Sequence, residues 1–223
     1  MILIENLRYH SLTIDSLVLE EGITTIIGEN GSGKTSFLKL VAGIALPESG
    51  TLCIDGKDPR TTEIGWVNEF PDRNILFETV HDEVASPLRF RYMPGGETEL
   101  QVATCLDKVG ISSLGGRLMR ELSGGEKILV SLAAAMVHTP RVLVLDEYDS
   151  HLDEQYKEKI ETLLQKGSSP YVIRCTQDME AAAQGDYLLY LKEGVIEQAG
   201  KPKTVFASLE RTPFFPLSWR CTP

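Results

Sequence analysis

Eight residues, Gly28-Glu29-Asn30-Gly31-Ser32-Gly33-Lys34-Thr35, carry the clearest chemistry in the chain. They spell G-x-x-x-x-G-K-T, a pattern that cradles phosphate. The glycines allow turns that a Cβ would forbid, so consecutive N–H groups can face one anion. A helix starting behind them, from Ser36, adds partial positive charge at the same place. Lys34 can reach phosphate oxygens, and the Thr35 hydroxyl can ligate Mg²⁺. The bland alternative is a glycine-rich turn that happens to precede a helix, and the motifs that follow weigh against it.

A second candidate is Asp146-Glu147, which follows Val142-Leu143-Val144-Leu145. Four apolar residues make a buried strand that delivers two carboxylates to its C-terminal end, where ligands sit in open α/β sheets. A third is Leu122-Ser123-Gly124-Gly125-Glu126, ahead of an apolar helical run from Lys127 to Val137. Ser-Gly-Gly-Glu reads as a helix cap. Glycine amides and a hydroxyl at a helix start also make an anion site, and both readings can hold at once. Tyr9, upstream of the first loop, either stacks on an adenine ring or packs at a sheet edge.

The elements that must position these groups follow from the pattern. Ile23–Ile27, rich in β-branched residues, is a buried strand leading into the glycine loop. Before it, Ile2 and Ile4, Leu12 and Ile14, and Leu17 and Leu19 recur at strand spacing. Pro47–Gly50 reads as a turn, with strands at Thr51–Ile54 and Ile64–Val67. From about 73 to 140 the pattern turns helical, with a capped start at Thr79, a helix over Glu97–Val109, and breaks at Pro94-Gly95-Gly96 and Gly115-Gly116. Strands at Tyr171–Ile173, Tyr187–Leu191 and Val195–Glu197 follow, with helices at Met179–Gln184 and after Pro202. The tail from Thr212 to Pro223 holds prolines and aromatic residues, and is expected to pack on the domain or on a partner.

Composition narrows the class. A chain of 223 residues, 42% hydrophobic, can bury a full core as one domain. Its net charge of −10 argues against nucleic acid as a partner, which wants a basic face. Cys53, Cys105, Cys175 and Cys221 are scattered, without metal-ligand or disulfide-framework spacing, which fits a reduced cytoplasmic compartment. No signal peptide is expected after Met1, and no apolar stretch approaches a membrane span.

Taken in order, the phosphate loop, Leu122–Glu126, Asp146-Glu147 and Ser150-His151-Leu152-Asp153 resemble an ATP-binding-cassette (ABC) ATPase from Met1 to about Lys203. Pro71-Asp72, Leu76-Phe77, Thr79-Val80, Val84-Ala85 and Glu126 in place of a glutamine are similar to the energy-coupling-factor (ECF) ATPases, which drive uptake of vitamins and metal ions. The resemblance implies an α/β fold of the P-loop NTPase type. Its mixed core sheet (1–72 and 141–205) would be flanked by helices. It would have an N-terminal antiparallel β part, a helical subdomain at about 73–140 and a tail at 206–223. It implies ATP and Mg²⁺ as ligands, and nucleotide contacts from Tyr9, Gly28, Asn30, Gly31, Ser32, Gly33, Lys34, Thr35 and Ser36. Ser123, Gly124, Gly125 and Glu126 would reach the γ-phosphate held by a second ATPase subunit, identical or not. Asp146, with Thr35, would hold Mg²⁺. Glu147 would be the general base, and Asp153 would lie in the loop joining the two sites. An integral membrane partner would dock near Glu69–Ala85 and keep the chain on the cytoplasmic face. A soluble ABC ATPase of nucleic-acid repair or translation would instead carry long coiled-coil insertions or tandem cassettes. Neither is present.

Several positions depart from the family. Glu69 stands where a glutamine is usual. It can still ligate Mg²⁺ but adds charge and donates no hydrogen bond. Gln177 stands where a histidine is usual, and its amide can bridge but cannot carry a proton. Tyr148 replaces a proline and Leu129 an arginine, and there is no room for the full C-terminal dimerisation extension many ECF ATPases carry. Two readings follow: an active but slow ATPase, or one half of an asymmetric pair.

Overall fold

The computed structural model describes residues 1–150, 152–167 and 169–220. His151 and Cys221, both noted above, lie outside the described residues.

Among the described residues nine strands form one sheet: β1 (Ile2–Tyr9), β2 (Leu12–Leu19), β3 (Gly22–Ile27), β4 (Ser49–Ile54), β5 (Ile64–Val67), β6 (Val142–Asp146), β7 (Tyr171–Cys175), β8 (Tyr187–Lys192) and β9 (Val195–Gly200). Their order is β4-β1-β2-β9-β8-β3-β7-β6-β5. The run β8-β3-β7-β6-β5 is parallel, while β4-β1-β2 is antiparallel. The mixed sheet with its antiparallel part is the expected one. Parallel strands buried on both faces read as unbroken apolar runs, as Val142–Leu145 of β6 does. Their shared direction brings the C-terminal ends of β3, β6 and β7 to one edge.

Among the described residues eight α-helices flank the sheet: α1 (Lys34–Val41), α2 (Val80–Arg89), α3 (Gly95–Val109), α4 (Gly124–Met136), α5 (Glu154–Gln165), α6 (Met179–Ala183), α7 (Pro202–Leu209) and α8 (Leu217–Arg220). Helix α1 packs with the inner face of β1, β2 and β4 in one core that includes Phe37, Leu38, Ile4 and Leu12. Helices α2, α3 and α4 pack on one another over a second core, centred on Val84, Leu88, Val102 and Leu132. A third core holds the tail. Phe215 is buried against Phe206 and Trp219, with edge-on ring contacts at 6.3 and 6.1 Å, so the tail packs on the domain itself.

Several boundaries differ from the sequence expectation. Gly95 and Gly96 lie inside the first turn of α3 rather than in a break. Pro94 caps that turn, whose amides need no helical partner, and Thr98 Oγ1 donates to its carbonyl at 3.1 Å. Strand β4 starts at Ser49, because β1 carries a bulge between Glu5 and Arg8 that lets Ser49 still pair with Arg8. Strand β7 runs two residues past Ile173, to Cys175, which buries Arg174.

One charged cluster joins the antiparallel part to the parallel core. Asp55, just after β4, accepts from the Met1 ammonium at 2.6 Å, the Tyr171 hydroxyl at 2.8 Å and Arg141 Nε at 2.7 Å. Hydrogen bonding from Arg141, then from the N-terminus, holds its carboxyl well below the usual carboxylate range. A depressed carboxylate stabilises the fold above its unfolded pKa, and that contribution is lost as pH falls through the folded value. Asp55→Asn should therefore lower the thermal midpoint by about 2–4 °C at pH 7. The gap from wild type should close as the pH drops below about 4. Thermal melts across pH test this, and a gap that widens in acid would contradict it.

Candidate functional site

The site is built where β3 meets α1. Gly33, with φ of 104°, caps α1, and the helix begins at Lys34, inside the motif rather than after it. The first amide with an intrahelical partner is Phe37, which donates to Gly33 O at 2.9 Å. The amides of Lys34, Thr35 and Ser36 are thus the unpaired start of a helix, the part that binds anions. Gly28 has φ of 150°, and a Cβ there would fall 2.0 Å from Leu191 O. Asn30 and Gly31 are exposed on the loop tip.

Lys34 is only 5% exposed. Its Nζ donates to Gly28 O at 2.9 Å and to Glu29 O at 3.1 Å, and lies 3.5 Å from Glu147 Oε1. Ser32 is buried, and its Oγ has no hydrogen-bond partner among the described residues. An orphaned hydroxyl, three unpaired amides and a buried ammonium fit the phosphates of a nucleotide. Thr35 Oγ1 donates to Asp146 Oδ1 at 3.2 Å. Among the described residues no three His, Cys, Asp or Glu side chains cluster as a metal site. Thr35 and Asp146 nevertheless fit Mg²⁺, which takes one or two protein oxygens and completes its shell with phosphates and water.

Glu147 follows β6 with φ of 45°, a left-handed backbone rare outside glycine. Its Oε2 accepts from Gln177 Nε2 at 2.8 Å, and the same nitrogen lies 3.4 Å from Asn30 Oδ1. The structure therefore brings Asn30, Lys34, Thr35, Asp146, Glu147 and Gln177 into one group. Beside Glu147 and Gln177 lies a cavity of about 500 Å³, whose far wall includes Pro213, Phe215 and Leu217 of the tail.

Ser123–Glu126 form a second group at the start of α4. Ser123 Oγ accepts from Glu126 N at 3.3 Å, and Glu126 Oε2 accepts from Ser123 N at 2.8 Å. That backbone hydrogen bond lowers the Glu126 pKa. The cap leaves the Gly124 and Gly125 amides without helical partners. Among the described residues no hydrogen bond or ion pair joins this group to the first. Asp153 caps α5, accepting from Tyr156 N at 3.0 Å. Tyr9 ends β1 half-buried against the α1 core, with its ring edge-on to His10 at 4.2 Å. Glu69 is half-buried two residues beyond β5.

Sequence reasoning named Cys175 only among the scattered cysteines and passed over Arg174. Cys175 Sγ donates to Asp146 Oδ1 at 2.9 Å, and burial, then the Asp146 charge, pushes its thiol pKa well up. Arg174 is an arginine inside an apolar strand, and that was the available signal.

A phosphate loop at the end of β3, with two carboxylates at the end of β6 on the far side of β7, is the arrangement of a P-loop NTPase. The family model described as ABC transporter matches residues 13–150, and the chain belongs to that family. It is similar to the energy-coupling factor transporter ATP-binding protein EcfA1 of Streptococcus agalactiae, with 33% identity over 91% of this chain and 74% of the relative. EcfA of Enterococcus faecium is 33% identical, over 82% of this chain and 69% of that one. Among solved structures, cbiO1 from Clostridium perfringens, part of the ABC transporter complex cbiONQ, superposes with a TM-score of 0.85. It shares 29% identity over 94% of this chain and 92% of its own. The dimeric cassette MJ0796 bound to ADP and Pi gives a TM-score of 0.80 at 26% identity, over 91% of this chain and 99% of its own. The chain is thus an ATP-binding subunit of an ATP-powered transporter.

Ser32→Ala should leave the thermal midpoint of the nucleotide-free protein within about 2 °C of wild type, because the hydroxyl makes no hydrogen bond in the fold. ATP affinity, read by titration with a fluorescent analogue, should fall about 5- to 10-fold. Lost stability with affinity intact would show that the hydroxyl serves the fold instead.

Proposed function

We propose that the chain binds and hydrolyses ATP to power an ECF-type importer of vitamins or metal ions. The observation that carries this is the placement of Glu147, whose carboxylate is held between Gln177 and Lys34 at 2.8 and 3.5 Å. Lys34, Ser32 and the amides at the start of α1 would hold the phosphates. Thr35 and Asp146 would hold Mg²⁺, which when bound neutralises charge on the phosphates. Glu147 would take the proton of the attacking water. Tyr9 would lie against the adenine.

Ser123, Gly124 and Gly125 would complete the site of a second ATPase subunit packed head to tail, with Asp153 near the junction. ATP binding would close the pair, and hydrolysis with product release would reopen it. The dimeric neighbour and the cbiONQ complex support such partners. A membrane subunit would dock in the groove of about 440 Å³ lined by Trp66, Asn68, Leu76, Pro87, Phe90 and His138. Leu76, ahead of α2, and Phe90, at its C-terminal end, are 68% and 64% exposed there and offer apolar surface to such a partner. No helix among the described residues is long and apolar enough to cross a membrane, so attachment at its cytoplasmic face would come through that subunit.

Glu69 and Gln177 favour slow turnover, and they also favour a second reading, a degenerate half of an asymmetric pair. Gln177 reaches Glu147 as a hydrogen-bond donor but cannot take up a proton. Steady-state hydrolysis with Mg²⁺ separates the two. The wild-type chain should turn over, and Glu147→Gln should bind ATP normally while losing about 10²–10⁴-fold in rate. ATP binding without wild-type turnover would select the half-site instead.

A further inference from the structure

Arg174 is 0% exposed, on a strand whose other side chains are nearly all apolar. A buried guanidinium needs its donors filled. Nε donates to Thr25 Oγ1 at 3.0 Å, on β3 and three residues before the phosphate loop. Nη2 donates to Ala181 O on α6 at 2.6 Å. Nη1 donates to Tyr148 Oη at 3.2 Å and pairs with Glu161 of α5. Tyr148, 3% exposed, donates its hydroxyl proton to Glu161 Oε1 at 3.0 Å.

One cation thus ties together β3, β7, α5, α6 and the residue that follows Glu147. Next to it, Thr176 Oγ1 donates to the buried Asp149 and accepts from Asp178 N at 2.9 Å. Those bonds clip the loop carrying Glu147 to the loop carrying Gln177. The backbone of Glu147 is left-handed, and its amide donates to Cys175 O at a long 3.2 Å. Its carbonyl accepts from Ser150 N at 3.3 Å. A strained residue whose two backbone bonds are both long holds its place only if its neighbours fix it.

We propose that Tyr148 and Arg174 are positioning residues for hydrolysis, holding Glu147 in its strained backbone through the Tyr148 hydroxyl. This rests on Glu147 acting as the base. The hydroxyl is an anchor 3.0 Å from a carboxylate that is itself fixed by Arg174, so the loop has one register. Without it, the ring still packs but slides against Glu161. Substrate binding, which uses the phosphate loop, does not pass through this anchor.

The test uses Tyr148→Phe, which keeps the ring, and Arg174→Lys, which keeps the charge but cannot fork to several partners. Tyr148→Phe should keep its thermal midpoint within about 2 °C. Its KM for ATP should stay within about twofold while kcat falls about tenfold, the cost of a displaced reacting group. Amides 146–150 should exchange with deuterium about tenfold faster, with β3 unchanged. Arg174→Lys should show the same split between kcat and KM. Unchanged kcat in Tyr148→Phe overturns the proposal, as does a kcat that falls only together with KM and melting temperature. A Glu147→Gln control that turns over like wild type would instead sink the reading of Glu147. Deuterium exchange would then decide alone: faster exchange supports the anchor, and unchanged exchange overturns it.

Discussion

Two helix starts with unpaired amides are the constraint on which the structure depends. A helix cannot satisfy its own first N–H groups, so something outside it must. At α4 a capping box fills part of the need, and Gly124 and Gly125 leave the rest open. At α1 there is no side-chain cap at all. The sequence spends Gly33 there, and the donors face the edge where β3, β6 and β7 end. An anion with several oxygens answers that geometry better than water does. The two starts lie in separate groups of one chain, and on the proposed reading a second chain would bring the two kinds of start to one phosphate.

Around α1 the charges are arranged for a highly anionic ligand. Lys34 is nearly buried, and backbone carbonyls and Glu147 hold its ammonium. Asp146 and Thr35 sit where a divalent cation would offset the acidic strand end. Burial raises the pKa of Asp149 despite its hydrogen bond from Thr176, and raises that of Cys175. A low-dielectric floor beneath the carboxylates strengthens every charge interaction above it. The acidic surface does not contradict nucleotide binding, because the loop supplies its own positive field.

Most of the fold was legible because its signals are local. The alternation in β1 and β2, the apolar runs of β3 and β6, and the Thr79 and Ser123 caps each depend on a few adjacent residues. The motif groups were legible because spacing fixes them to strand ends. What was not legible depends on contacts far apart in sequence. Ending β7 at Ile173 left Arg174 outside the sheet, yet it is filled by partners from Thr25 to Ala181. Gly95 and Gly96 read as a break by composition, but Pro94 makes them the first turn of α3. Tyr148 was visible as a departure, and only packing shows what its hydroxyl does.

The most direct measurement mixes two disabled copies of the chain and follows ATP hydrolysis. One carries Lys34→Ala, which spoils the phosphate loop, and the other Ser123→Arg, which spoils the start of α4. Each alone should be nearly inactive. Together they should recover turnover well above their sum, because one site in the mixed pair keeps an intact loop facing an intact α4. A mixture no more active than its parts, under conditions where the wild-type chain turns over, would contradict a site shared between two copies.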